Sequence, residues 1–131
     1  MSKSAPASIQ WRQLGVLLGS NAWGSSFIVG AGRTFPHCMQ HQIANLSGSL
    51  DGLPPVVKGA AVNGPNGPQS GLGVPSGARV CPPDGVDVFG QFNGHGGEYL
   101  DDVISWPTVE PALDFVASTP LAFARQIAGL P

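Results

Sequence analysis

Charged residues are scarce in this chain, at 11% of 131 residues, and the formal net charge is only −2. No basic cluster is present that would attract nucleic acid or an anionic membrane surface, so neither is expected as a partner. A free-standing small domain usually carries more surface charge than this. The composition therefore fits one small domain or a piece of a larger body.

Long apolar runs are also missing. No segment approaches the length of a membrane span, and the N-terminal MSKSAPASIQW lacks the apolar core of a signal peptide. If the protein works outside the cell, we expect its export signal to lie outside this sequence. The Gly30-x-Gly32 pair lacks the third glycine, the buried strand and the helix of a nucleotide loop, so no cofactor is expected.

Cysteine is limited to Cys38 and Cys81, without any CxxC or clustered metal-ligand spacing. One disulfide between them would close a loop of about 43 residues and stabilise the fold by about 3–4 kcal/mol. His37 and His41 would share a helix face and could bind a metal, but Pro36 and the missing glutamate of an HExxH motif favour structural roles. We expect no metal site.

Glycine and proline are abundant instead, with 19 and 13 residues. Three Trp and six Phe argue against disorder, so the composition predicts a folded chain dominated by loops. Within it, Ser26–Val29 is the only strand-like piece of residues 19–48, and Val56–Val62 is the only apolar segment of residues 51–91 able to cross a core.

Apolar periodicity predicts a first helix over Ala7–Leu18, ended by Gly19, with residues 1–6 frayed. A second helix is predicted to start near Thr108 as N-cap, with Pro111 in its first turn. Pro120 is expected to kink it or break it after Ser118.

Seven of the eight acidic residues lie between Asp84 and Asp114. This segment is either a solvated acidic loop or a site for a neutral or cationic ligand. Asp101 and Glu110 lie nine residues apart, and a turn containing Pro107 would direct both carboxylates toward one cavity. The sequence leaves open whether a helix start or burial against Trp106 and Tyr99 dominates the environment of Glu110.

Three segments carry a resemblance to a known family. Tyr99-x-Asp101, four residues, Trp106, three residues and Glu110-x-Ala112 resemble the second active-site signature of glycoside hydrolase family 9, the cellulase-type endoglucanases. The pattern departs from the family at Val116, where an Asn is usual. LGSNAWGSSFIVGAG and AAVNGPN are similar to two further segments of that family, in the same order. The resemblance covers residues 9–128.

The resemblance implies a mainly α fold, in which residues 1–131 form the C-terminal fragment of an (α/α)6 barrel with two or three helices and long Gly/Pro-rich loops. Glu110 would be the general acid of an inverting enzyme acting on β-1,4-glucan, and Asp101 its supporting carboxylate. The family's base lies in an Asp-rich motif that nothing in this sequence resembles. The remainder of the barrel would then be a partner, and the isolated chain would be inactive. The full-length protein would be extracellular.

The resemblance also implies sugar contacts by His41, His37, Tyr99 and Trp106. An ungapped alignment places Gln40, His41 and Gln42 at the family's His-His-Arg cluster, which favours His41, whereas a gapped alignment would use His37. The arginine is absent either way. Two other interpretations stay open. One is a non-catalytic, carbohydrate-binding fragment with Trp23, Trp106 and Tyr99 as stacking platforms; in the other, Glu110 only caps a helix.

Overall fold

The computed structural model describes residues 5–46, 57–68 and 72–129. Its helices are α1 (Ala5–Leu17), α2 (Gln42–Leu46), α3 (Trp106–Val109) and α4 (Leu113–Ile127), with a 3-10 turn at Gly90–Phe92. No strand forms within these ranges, and only isolated antiparallel bridges occur, such as Ile28 with Ala61. The expected loop-rich chain is confirmed for this part of the protein, although four helices form where two or three were expected.

Helix α1 agrees with the first predicted helix apart from its ends. It begins at Ala5, so the expected fraying of residues 1–6 is wrong for Ala5 and Pro6, and residues 1–4 lie outside the described part. Its C-terminus is a Schellman motif: the N–H of Gly19 donates to Val16 at 3.3 Å and that of Ser20 to Gly15 at 2.8 Å. Gly19 permits this end because its φ is +108°.

The predicted start of the second helix is wrong. Thr108 is not an N-cap but a buried residue of α3, and α4 begins only at Leu113. Glu110 is extended, with φ −74° and ψ 124°, because the ring of Pro111 disfavours the helical conformation in the residue before it. Glu110 therefore ends α3 instead of lying at the N-terminus of α4.

Pro120 does not break α4, which runs through it from Leu113 to Ile127. Pro120 has no N–H to donate within the helix, and its ring crowds the preceding turn. Helix α4 exposes Leu113, Leu121 and Ile127 to solvent. No helix in the described ranges is long and apolar enough to cross a membrane.

The main hydrophobic core is formed mostly by residues of the loops. It contains eight buried residues: Phe27, Val29, Met39, Ala44, Val62, Phe89, Tyr99 and Val109. The Ser26–Val29 piece, which the sequence predicts to be strand-like, is buried but makes only isolated bridges and no strand. Of the apolar Val56–Val62 segment, Val62 enters this core, whereas Val56 lies outside the described residues. A smaller cluster joins Cys38, Cys81 and Val103.

Candidate active site

The carboxylate of Asp101 is bound by the backbone of the chain 64 residues earlier. The N–H of His37 donates to its Oδ2 at 2.9 Å and to Oδ1 at 3.2 Å, and the N–H of Cys38 donates to Oδ1 at 2.9 Å. Burial raises the pKa of Asp101, and these two N–H donors act in the opposite direction. Asp101 therefore fixes the turn at residues 37–38.

A disulfide between Cys38 and Cys81 fixes the same turn from its other side, with the two Cα atoms 5.3 Å apart. The carbonyl of Cys81 accepts the N–H of Val103 at 2.9 Å. Residues 38, 81 and 101–103 are thus joined into one unit by a covalent bond and by backbone hydrogen bonds. The sequence allowed this pairing without establishing it.

A cleft of about 240 Å³ opens beside this unit. Asp101, His37, the disulfide and residues 82–84 and 86–89 line it. Glu110 is not among the lining residues. This cleft therefore contains only one of the two carboxylates, and the expectation that a turn at Pro107 directs both into one cavity stays a prediction.

A hydrogen bond to its backbone carbonyl holds Glu110 in place. Its carbonyl accepts the N–H of Asn63 at 3.2 Å, and the side-chain amide of Asn63 donates to the carbonyl of Trp106 at 2.9 Å. The N–H of Gly64 donates to Thr108 at 2.9 Å. The Glu110 side chain is half-buried, and among the described residues none donates a hydrogen bond to its carboxyl.

Helix α3 also has internal support. The hydroxyl of Thr108 donates to the carbonyl of Leu100 at 2.6 Å, which leaves the Ser105 hydroxyl to donate to Thr108 at 2.6 Å. Both side chains are buried. Because these hydroxyls satisfy each other and the backbone, the short helix is held firmly although it has only four residues.

The two histidines take different local roles. His37 stacks on Phe35 with ring centroids 4.7 Å apart, and it lines the cleft of Asp101. His41 directs Nδ1 toward the N–H of Ala44 at 3.4 Å, in the first turn of α2. No group of three or more His, Cys, Asp or Glu side chains in the described ranges is placed to hold a metal ion.

The aromatic residues of the predicted site differ sharply in exposure. Tyr99 is 0% exposed and packs against Phe27 and Phe89, with ring centroids 5.2 and 5.0 Å away. Trp23 is partly buried beside Tyr99, and its Nε1 donates to Asn93 at 2.8 Å. Trp106 is 46% exposed. Of the three proposed stacking platforms, only Trp106 presents a large ring surface here.

Asn63, Asn66 and Gln40 also hold the site together, although none of them is among the site residues that the sequence predicts. Asn66 donates its side-chain amide to the carbonyl of Pro107 at 3.3 Å. Gln40 donates from its backbone to Val109 and from Nε2 to Val103. The resemblance includes the AAVNGPN segment, but an asparagine whose amide holds a distant carbonyl leaves no pattern that identifies this role in the sequence.

The three segments that carry the sequence resemblance thus meet in space around α3. A family model described as glycosyl hydrolase family 9 matches residues 2–123. Searches of curated proteins and of solved structures gave no significant match. A family model that covers nearly the whole chain is sufficient for assignment, and the chain belongs to glycosyl hydrolase family 9.

Proposed function

We propose that this chain is part of a catalytic module that hydrolyses β-1,4-glucan with inversion of configuration, and that Glu110 is its general acid. The observation that carries the role is the position of Glu110. Its backbone is fixed by Asn63, while its carboxyl is half-buried and receives no hydrogen bond from the described residues. A general acid needs a fixed carboxyl that is free to approach the glycosidic oxygen.

Asp101 acts in this proposal as a supporting group. Its carboxylate already accepts hydrogen bonds from His37 and Cys38, so its part is to hold the turn that carries His37. His37, which shares the Asp101 cleft, and His41 are proposed to contact the sugar together with Trp106. Tyr99 has no exposed ring surface on which a sugar would stack, so its proposed contribution is indirect, through packing under the site.

An inverting glycosidase also needs a base that activates water on the opposite face of the sugar. We propose that this base, the other barrel helices and an export signal belong to the rest of an extracellular protein. Support comes from an open groove of about 340 Å³ between α1 and α4, which Leu14, Leu17 and Leu121 line. In a complete barrel other helices would cover such apolar side chains. Residues 1–131 alone are therefore expected to show no turnover.

The acid role is tested in a parent module with Glu110→Gln. Protonation matters most for a poor leaving group, so activity on cello-oligosaccharides should fall by at least about 100-fold, while activated aryl glycosides are largely spared. Asp114→Asn, an exposed carboxyl in the first turn of α4, is the matched control. Equal losses of activity on both substrate types would argue against the acid role of Glu110. Turnover by the isolated 131-residue chain would show that no separate base is needed.

A second function, glucan binding without catalysis, is supported by the exposure of Trp106. It predicts that the chain is retained on insoluble glucan without releasing soluble sugar. Release of sugar by the same preparation would exclude it.

A further inference from the structure

Three asparagines of the chain are followed directly by glycine. The pairs are Asn63-Gly64, Asn66-Gly67 and Asn93-Gly94. Such a pair is chemically reactive, because glycine has no Cβ to obstruct an attack by its own nitrogen on the side-chain carbonyl carbon of the asparagine. The attack requires this nitrogen to lie close to the asparagine Cγ. The fold treats the three pairs differently in this respect, although the sequence makes them alike.

Hydrogen bonds lock the pair of Asn63 and Gly64. The N–H of Gly64 donates to the carbonyl of Thr108 at 2.9 Å, and the side-chain amide of Asn63 donates to the carbonyl of Trp106 at 2.9 Å. The Gly64 nitrogen therefore directs its hydrogen toward α3, and Gly64 is buried. Both hydrogen bonds must open before this nitrogen can attack.

The pair of Asn93 and Gly94 is locked in a similar way. The N–H of Gly94 donates to the carbonyl of Gly97 at 3.0 Å. Oδ1 of Asn93 accepts hydrogen bonds from the indole N–H of Trp23 at 2.8 Å and from the N–H of Tyr99 at 3.0 Å. Both the nitrogen and the carbonyl group that it would attack are thus held by other parts of the chain.

The pair of Asn66 and Gly67 is arranged for the reaction. The N–H of Gly67 donates to Oδ1 of Asn66 at 2.8 Å, so the nitrogen already lies next to the carbonyl group that it would attack. The side-chain amide of Asn66 reaches the carbonyl of Pro107 only at 3.3 Å, just beyond the usual length of an N–H···O bond. Asn66 is also exposed to solvent, which gives water and hydroxide access to it.

We propose that Asn66 is a site of spontaneous, non-enzymatic deamidation in the folded protein, and that the products loosen the support of α3. Hydroxide removes the N–H proton of Gly67, and the nitrogen uses its electron pair to bond to Cγ of Asn66, which closes a succinimide ring. The bond from Cγ to Nδ2 breaks, and its electron pair leaves with the nitrogen, which takes a proton from water and departs as ammonia. That proton transfer restores the hydroxide. Water then opens the imide at either carbonyl and leaves aspartate or isoaspartate at position 66, with nothing oxidised or reduced.

Both products lose contacts that Asn66 makes. A carboxylate has no N–H to donate to the carbonyl of Pro107 in α3. Asn66 also pairs with Glu98 across an antiparallel bridge, with N-to-O distances of 2.9 and 2.8 Å, so a carboxylate at position 66 would stand opposite a like charge. Isoaspartate in addition inserts a methylene into the main chain and displaces the bridge.

The test is incubation of the whole 131-residue chain in mildly alkaline buffer, followed by peptide mapping with mass spectrometry that assigns aspartate and isoaspartate to each position. Asn66 should convert at least about tenfold faster than Asn63 and Asn93, because the locked pairs must first open. In urea, where the fold no longer protects any pair, all three should convert at similar rates. Equal rates in the folded chain, or a preference for Asn66 that persists in urea, would overturn the proposal.

Gly67→Ala is the matched control. A Cβ at this position would meet no described atom within 4 Å, so the fold accommodates it, while the added methyl group obstructs the attack by its nitrogen. Conversion of Asn66 in the folded variant should fall toward the level of Asn63 and Asn93. Unchanged conversion would mean that the nitrogen of residue 67 is not the attacking group.

The effect on α3 is tested separately with a stable copy of one product. Asn66→Asp should lower the urea midpoint of the chain more than Asn66→Ala does, because alanine removes the amide without placing a charge opposite Glu98. An unchanged midpoint in Asn66→Asp would overturn the loosening of α3.

Discussion

The Asp101 carboxylate accepts a hydrogen bond of 2.9 Å from the backbone N–H of His37. This contact joins the segment that resembles the family's second active-site signature to the turn at residues 37–38, and the disulfide of Cys38 reinforces it. The carboxylate thus has a structural task that is distinct from any contact with a substrate. Replacing this carboxylate should therefore lower the free energy of unfolding.

Asp101→Asn should lower the free energy of unfolding by about 1–3 kcal/mol, because two N–H groups lose a charged acceptor. Urea denaturation of the 131-residue chain measures this loss. Asp114→Asn, at an exposed position, should cost less than about 1 kcal/mol. Equal losses in the two variants would mean that the hydrogen bonds to residues 37–38 contribute no stability.

The role of Asp101 shows which features of the site can be predicted from the sequence and which cannot. The resemblance identified Asp101 and Glu110, and the apolar pattern gave α1 within two residues at its N-terminus. The geometry between them could not be predicted, since it depends on amide-to-carbonyl bonds such as that of Asn63 to Trp106, which have no sequence pattern. The wrong start of α4 was avoidable, because Pro111 already disfavours a helical Glu110.

The disulfide should account for much of the stability of the chain. A double variant, Cys38→Ser with Cys81→Ser, should lose about 3–4 kcal/mol, because the loop of 43 residues is no longer closed in the unfolded state. Urea denaturation with and without reductant checks the value, and the chain has no other cysteine on which the reductant could act. The amides of residues 37 and 38 should also exchange faster after reduction. Unchanged stability would show that the pair is not formed in solution.

The titration of Tyr99 reports on the core, and Tyr99 is the only tyrosine of the chain. Burial, and secondarily the charge of Asp101, raise its pKa well above the usual 10.0, while the Ser25 side chain acts in the opposite direction. A raised pKa in the fold means that stability falls as pH rises above the unfolded value. Ultraviolet absorbance should therefore show phenolate only well above pH 10, and in Asp101→Asn its midpoint should be lower. If the phenol of Tyr99 titrates at its ordinary pH in the folded wild type, Tyr99 lies at the surface and not in the core.

Gly64 and Gly67 form a matched pair for the turn that supports α3. Gly64 has φ +78°, and a Cβ there would lie 3.3 Å from the Phe27 ring. A Cβ at Gly67 would meet no described atom within 4 Å, and the φ of Gly67 is not in the left-handed region. Gly64→Ala should therefore destabilise the chain by about 1–3 kcal/mol through backbone strain and displacement of Phe27. Gly67→Ala should change stability by less than about 0.5 kcal/mol, or raise it slightly by restricting the unfolded chain. Thermal and urea denaturation of both variants compare them directly. A tolerated Gly64→Ala would mean that residue 64 does not hold a left-handed φ against the Phe27 ring in solution.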